Sequence, residues 1–255
     1  MRQLTLLFSM FIILFSCGSP QPPAEPKIDL TKYPEDLQKI FARHGGLETW
    51  NKMKAMSYEI VKDGGNEKQM IDLKDRRERI EASSFKTGYD GKDFWLEADT
   101  SYKGNPVFYH NLMFYFYAMP FVLADDGIIY SEAAPLSFEE KNYPGIKIAF
   151  DAGVGVSPED EYFIHFDPDT YEMAWLGYTV TFSSGKKSQD IHWIRYNDWK
   201  NFNGLLLPNT LSWYKYENGL PTELRNVREF AEVTVSEEAF ADDVFAKPEG
   251  AEVVE

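Results

Sequence analysis

The sequence predicts an α+β chain that is mostly β, an antiparallel sheet with helices at its start and one inserted helix. Three observations carry that prediction. Apolar residues recur at helical spacing near residues 35–55. From Met56 onward, runs rich in aromatic and β-branched residues alternate with short Asp, Asn and Gly turns, as consecutive hairpins require. Between two sets of such runs lies the stretch 111–123 (NLMFYFYAMPFVL), which carries no charge.

Composition narrows the function classes. The chain has 255 residues, a formal net charge of −15 and 16% aromatic residues. That charge argues against nucleic acid, whose phosphates need Lys and Arg, and against a polybasic grip on anionic lipid. The single cysteine, Cys17, excludes an intramolecular disulfide and a Cys-rich metal site. A 44% apolar share is enough for a globular core.

Residues 1–16 read as an export signal. Arg2 supplies the positive start, and residues 4–15 are apolar apart from Thr5 and Ser9. The run is short for a bilayer span. Leu14-Phe15-Ser16-Cys17, followed by Gly18, resembles a bacterial lipobox. That resemblance implies removal of residues 1–16 and acyl chains, palmitate among them, on Cys17. With Gly18 and no aspartate after the cysteine, it also implies outer-membrane anchoring on the periplasmic side. Residues 17–34 then form the acylated cysteine and a tether. Four prolines in SPQPPAEP (19–26) favour extended polyproline II. Residues 35–255 remain as a single domain.

Pro34 suits a helix start, and Leu37, Ile40 and Phe41 form one stripe. Gly45-Gly46 breaks it, and Leu47, Trp50 and Met53 mark a second short helix. His44, at the end of the first helix, is placed where a positive charge is favoured. Strands are expected at 58–61, 69–73, 76–81, 86–89 and 93–97, then at 162–166, 173–181, 190–198, 205–216 and 222–235. The turns between them are Asp63-Gly64-Gly65-Asn66, Asp90-Gly91, Asp167-Pro168-Asp169-Thr170, residues 183–187 and Asn218-Gly219. They join the strands into a meander. Residues 128–136 and 144–148 are less readable. Alternation sets Trp193 and Arg195 against Ile194 and Tyr196. The uncharged stretch 111–123 is either a buried core element or a helix inside a concave sheet, ended by Pro120.

The helical start and long meander resemble the LolA/LolB-like fold of periplasmic lipoprotein carriers. The matching pieces are residues 44–50 (HGGLETW), 162–171 (YFIHFDPDTY) and 196–208 (YNDWKNFNGLLLP). The resemblance implies a strongly curved sheet, an open half-barrel, with the inserted helix as its lid. It covers most of residues 35–240 and carries over no catalytic residue.

A search for chemistry finds no Gly-x-Ser-x-Gly elbow and no paired histidines among His44, His110, His165 and His192. Asp125-Asp126 and Asp167/Asp169 read as turn formers. No metal, cofactor or catalysis is expected. Two functions stay open. One is a hydrophobic ligand, lipid or acyl chain, held in a cavity lined by Trp95, Phe114, Phe116, Met119, Phe121, Trp175 and Trp193. The other is a structural or interaction subunit of the envelope with a filled core.

Overall fold

The computed structural model describes residues 28–151, 159–181 and 190–254. The expected signal peptide, Cys17, most of the tether and the turn at 183–187 lie outside the described residues.

Helix α1 (Glu35–Arg43) buries Leu37, Ile40 and Phe41, with Glu35 and Asp36 in its first turn and Arg43 in its last. That arrangement suits the helix dipole. The chain leaves α1 at Gly45, whose φ is +115°. A Cβ there would lie 2.2 Å from the Gly204 carbonyl oxygen, so glycine is required. Helix α2 (Leu47–Lys52) buries Leu47 and Trp50. A short 3-10 turn, Leu30–Lys32, precedes α1. The next residue, Tyr33, is buried edge-on against Phe41 at 5.2 Å. Core packing therefore reaches a little upstream of residue 35, into the stretch read as tether.

The first strands are β1 (Ala55–Ile60), β2 (Glu67–Asp72), β3 (Glu78–Glu81), β4 (Phe85–Tyr89) and β5 (Phe94–Ala98). Arg76 takes a left-handed φ of +58°, which delays β3 to Glu78 rather than the expected residue 76. Next come the short helices α3 (Pro106–Tyr109) and α4 (Leu112–Tyr117) and a 3-10 turn, Phe121–Ala124. The second set is β6 (Ile128–Phe138), β7 (Lys141–Phe150), β8 (Tyr162–Phe166), β9 (Met173–Tyr178) and β10 (His192–Arg195). The chain ends through β11 (Trp199–Phe202), β12 (Leu205–Pro208), β13 (Thr210–Glu217), β14 (Leu220–Ser236) and β15 (Glu252–Val254).

Among the described residues, thirteen strands make one antiparallel sheet in the order β15-β5-β4-β3-β2-β1-β14-β13-β10-β9-β8-β7-β6. It has two edges and so is open, mostly β with helices at its start and one helical insert, as expected. It is not a plain meander, however. Two meanders meet where β1 pairs with the long β14. The expected single strand 205–216 is also split. Pro208 has no N–H to continue a ladder. Instead β12 pairs with β11 in a separate ribbon, and Asn209 bridges to the Asp198 carbonyl at 2.7 Å. Asn218 and Gly219, with φ of +52° and +77°, make the tight turn from β13 to β14.

The inner side of the sheet packs on α1, α2 and the segment 106–124. Ile146, Ile164, Leu176, Ile194, Tyr196 and Leu211 belong to this main core. The opposite side carries a smaller cluster of Leu136, Tyr143, Trp175 and Trp193. Trp193 and Ile194 thus fall on opposite faces, as alternation predicts.

Candidate functional site

Residues 99–127 connect β5 to β6 and supply no strand to the sheet. Part of that connection, 106–124, lies on the sheet's inner side as a lid. Among the described residues, the inner face beneath it divides into two halves of different chemistry.

The half formed by β7–β10 and β13 is apolar. Phe114, Phe116, Met119 and Phe121 of the lid are all buried in the main core. Phe116 meets Tyr178 at 5.0 Å, and Phe121 stacks on Trp50 of α2 at 4.9 Å. Polar contacts here are few: the Trp213 indole N–H donates to the Tyr178 hydroxyl at 3.1 Å, and others go to the lid backbone. Tyr196 donates its hydroxyl to the Phe116 carbonyl at 2.7 Å, and Tyr130 donates to the Leu123 carbonyl at 2.6 Å. Carbonyls that α4 and the 3-10 turn leave unpaired are satisfied this way.

The half formed by β1–β4 is polar although buried. Strand alternation sets Glu67, Gln69 and Ile71 on one side of β2, with Tyr58 directly across from Gln69. Tyr58 donates to Gln69 Oε1 at 2.6 Å, and Gln69 donates to Glu67 Oε1 at 2.8 Å. The lid completes the network. Tyr109 donates to Glu67 Oε1 at 2.6 Å, and Lys62 pairs with Glu67 Oε2 at 2.6 Å. The Asn111 backbone N–H donates to Glu78 Oε2 at 2.9 Å, and His110 Nδ1 lies 3.2 Å from the same oxygen. The Asn111 side-chain amide donates to His110 Nε2 at 2.8 Å and to the Arg76 carbonyl at 3.1 Å. With Nε2 accepting, Nδ1 carries the proton and donates to Glu78. Asn111 itself sits at φ +55°, a left-handed conformation that asparagine tolerates well. Three atoms of this half are buried without a partner: Glu78 Oε1, Asn111 Oδ1 and the Tyr117 hydroxyl. Burial, and after it the field of Glu78, pushes the Tyr58 hydroxyl well above the ordinary tyrosine range, and burial alone does the same for Tyr117.

At the far end of the lid, Arg76 Nη2 lies 2.8 and 2.9 Å from the two Asp125 oxygens. Asp125 is an anchor of the lid rather than only a turn former. Asp167 does form the expected turn, accepting from the N–H groups of Asp169 and Thr170. His44 departs from expectation. It closes α1, but it is buried and accepts a hydrogen bond from the Met173 N–H at 3.0 Å. Burial, then the nearby Arg43 charge, lowers its pKa to about 3. It is a neutral strut, not a positive cap for the helix dipole.

Of the seven residues expected to line a cavity, Phe114, Phe116, Met119 and Phe121 are together in the lid itself, buried in the main core. The other three are not with them. Trp175 and Trp193 lie on the opposite side of the sheet with Tyr214 and Arg195. Trp95 is buried beneath the C-terminal segment, donating to the Phe245 carbonyl at 3.1 Å, with Arg79 over its ring. The period of two explains all three: each alternates with a neighbour that faces inward. Sequence reasoning missed Glu67, Gln69, Glu78, Tyr109 and Asn111. The available signal was parity, since Glu67 and Gln69 share a strand face with Ile71.

Among the described residues, no group of three or more His, Cys, Asp or Glu side chains could hold a metal ion, and no helix is long and apolar enough to cross a membrane. A family model, described as a family of unknown function (DUF6503), matches residues 90–219. No curated protein matches the chain. Among solved structures, the chain is similar to a LolA superfamily protein from Nitrosomonas europaea, at 9% identity over 83% of this chain and 97% of that one, with a TM-score of 0.48. It is similar to a DUF1329 family protein from Desulfovibrio piger, at 9% identity over 83% and 95%, with a TM-score of 0.49. A third is a putative outer membrane lipoprotein-sorting protein domain from Vibrio parahaemolyticus, at 8% identity over 82% and 94%, with a TM-score of 0.38.

Proposed function

This chain belongs to DUF6503, a family of unknown function, and on that footing we propose that it is a binding protein of the bacterial envelope. It holds a hydrophobic ligand, lipid or acyl chain, on the inner face of its sheet. It is anchored to the outer membrane through acyl chains on Cys17 and faces the periplasm. Residues 106–124 occupy the ligand's place when none is bound.

One observation carries this reading. The lid contributes nothing to the sheet's ladders, so it can leave the inner face without breaking a strand pair. Its cost of leaving is hydrophobic. Each large side chain uncovered costs roughly 1.5–3 kcal/mol, so only a ligand with comparable apolar area can replace it. Phe114, Phe116, Met119 and Phe121 are the residues that a ligand would displace or contact.

A second reading, a structural or interaction subunit with a filled core, is favoured by the complete burial of Phe114 and Phe121. Extraction of the protein purified without detergent separates the two. Mass spectrometry of the extract should find lipid or acyl ligand in stoichiometric amount. A ligand-free extract supports the filled core. The anchor has its own test: a Cys17→Ala protein should lose palmitate labelling, and retained labelling contradicts the assignment.

A further inference from the structure

The lid meets the inner face with rings from α4 and with hydrogen-bond donors from Tyr109, His110 and Asn111. Both polar contacts that Glu78 Oε2 makes, from the Asn111 N–H and from His110 Nδ1, come from the lid, and buried Glu78 Oε1 has none. Glu67 Oε1 also receives the lid's Tyr109 hydroxyl. If the lid withdraws, Glu78 is left unpaired on a water-poor surface, which is unfavourable unless the replacement brings donors.

The surroundings of His110 narrow that replacement further. Its ring lies 5.0 Å from the Tyr89 ring and 5.2 Å from the Phe94 ring. Tyr89 is the direct cross-strand neighbour of Glu78, and Phe94 is that of Tyr89. A carboxyl beside two aromatic rings is the chemistry that recognises an ammonium group, through charge-assisted hydrogen bonds and cation–π attraction. An anionic head would instead meet the Glu78 carboxyl, which among the described residues has no cationic partner of the kind that Lys62 gives Glu67.

We propose that Glu78, Tyr89 and Phe94 form a head-group site for an ammonium-bearing amphiphile, occupied by His110 until the lid is displaced. The inference rests on the ligand-holding reading above and adds the head-group class to it. The apolar tail lies on the half beneath α4, and the ammonium takes the place of the imidazole.

Calorimetric titration of the full-length protein with ten-carbon probes below their micelle concentration tests this. Decylammonium should bind more tightly than decanoate or decyl maltoside by about tenfold or more. Glu78→Gln should abolish most of that preference, read as the ratio of decylammonium to decyl maltoside affinity within the variant. Tyr89→Leu, which keeps the carboxyl, should reduce it several-fold. Glu238→Gln, a surface charge change of the same size, should leave it intact and so excludes a general effect of the protein's negative charge. A short-chain ethanolamine phospholipid, titrated in parallel, identifies the source: tighter binding than decylammonium points to a membrane lipid, weaker binding to a free amine. Equal affinity for decylammonium and decanoate, or a preference that survives both Glu78→Gln and Tyr89→Leu, overturns the head-group site and leaves the ligand reading standing. Failure of every probe to bind overturns both.

Discussion

The two halves of the inner face are held to the same lid by different forces. Under α4, Phe116 packs on Tyr178 and Trp213, and the polar contacts to the lid pair its backbone carbonyls. Under α3 and Asn111, Glu67 and Glu78 are buried among hydroxyls and amides, and directional hydrogen bonds do the docking. The apolar half supplies most of the affinity, because burial scales with area. The polar half supplies orientation, because each donor must meet its acceptor. A ligand that replaces the lid must satisfy both.

Substitutions can break this comparison selectively. The largest effect is expected on the apolar half. Phe114→Ala, at a fully buried ring, should cost about 3–5 kcal/mol in denaturant unfolding. A cost near zero would mean that α4 is not packed as described.

The next effect is on pH dependence, through the strut that braces β9 of the apolar half. His44 has a folded pKa of about 3, below its ordinary 6.5, so the unfolded chain takes up the proton first. Its contribution is complete above about pH 6.5 and is lost as the pH falls towards 3. Between pH 7 and pH 4 the loss is about 3 kcal/mol, at roughly 1.4 kcal/mol per unit. His165, lowered by burial to about 4, adds in the same direction. Unfolding curves of His44→Gln across this range should be flatter than those of the parent chain. An equally steep fall would place the titration elsewhere.

Smaller still is Tyr196→Phe, which removes the hydrogen bond to the Phe116 carbonyl. It should cost about 1 kcal/mol, and amide exchange should accelerate in 106–124 more than in the strands. The smallest expected effect is on the opposite side of the sheet. Trp193→Phe removes the bond from its indole N–H to the Gly219 carbonyl and should cost about 1 kcal/mol or less. Amphiphile binding should not change. A change in binding would return Trp193 to the ligand surface.

The pattern of what the sequence revealed follows from the same physics. Hairpins were legible because Asp63-Gly64, Asp167-Pro168 and Asn218-Gly219 are local signals. The helical stripe of Leu37, Ile40 and Phe41 and the buried, uncharged character of 111–123 were legible through composition and period. The β1–β14 pairing was not, because it joins Met56 to Val235 and has no local signature. The faces of Trp95, Trp175 and Trp193 depend on register, and one step of parity moves a ring to the other side. The polar half was hidden for a different reason. Glu67 and Glu78 carry no local signal of burial; Tyr109 and Asn111, distant in sequence, meet them only in the fold.

The central claim is that residues 106–124 are a detachable occupant of the sheet. Native-state hydrogen exchange in low denaturant measures this directly. The amides bonded within the lid, Tyr115 N–H to the Asn111 carbonyl and Ala118 N–H to the Phe114 carbonyl, should open at a free energy clearly below that of β8, β9 and β10. Lid amides that exchange only with global unfolding, in step with those strands, would contradict the account and leave a filled core.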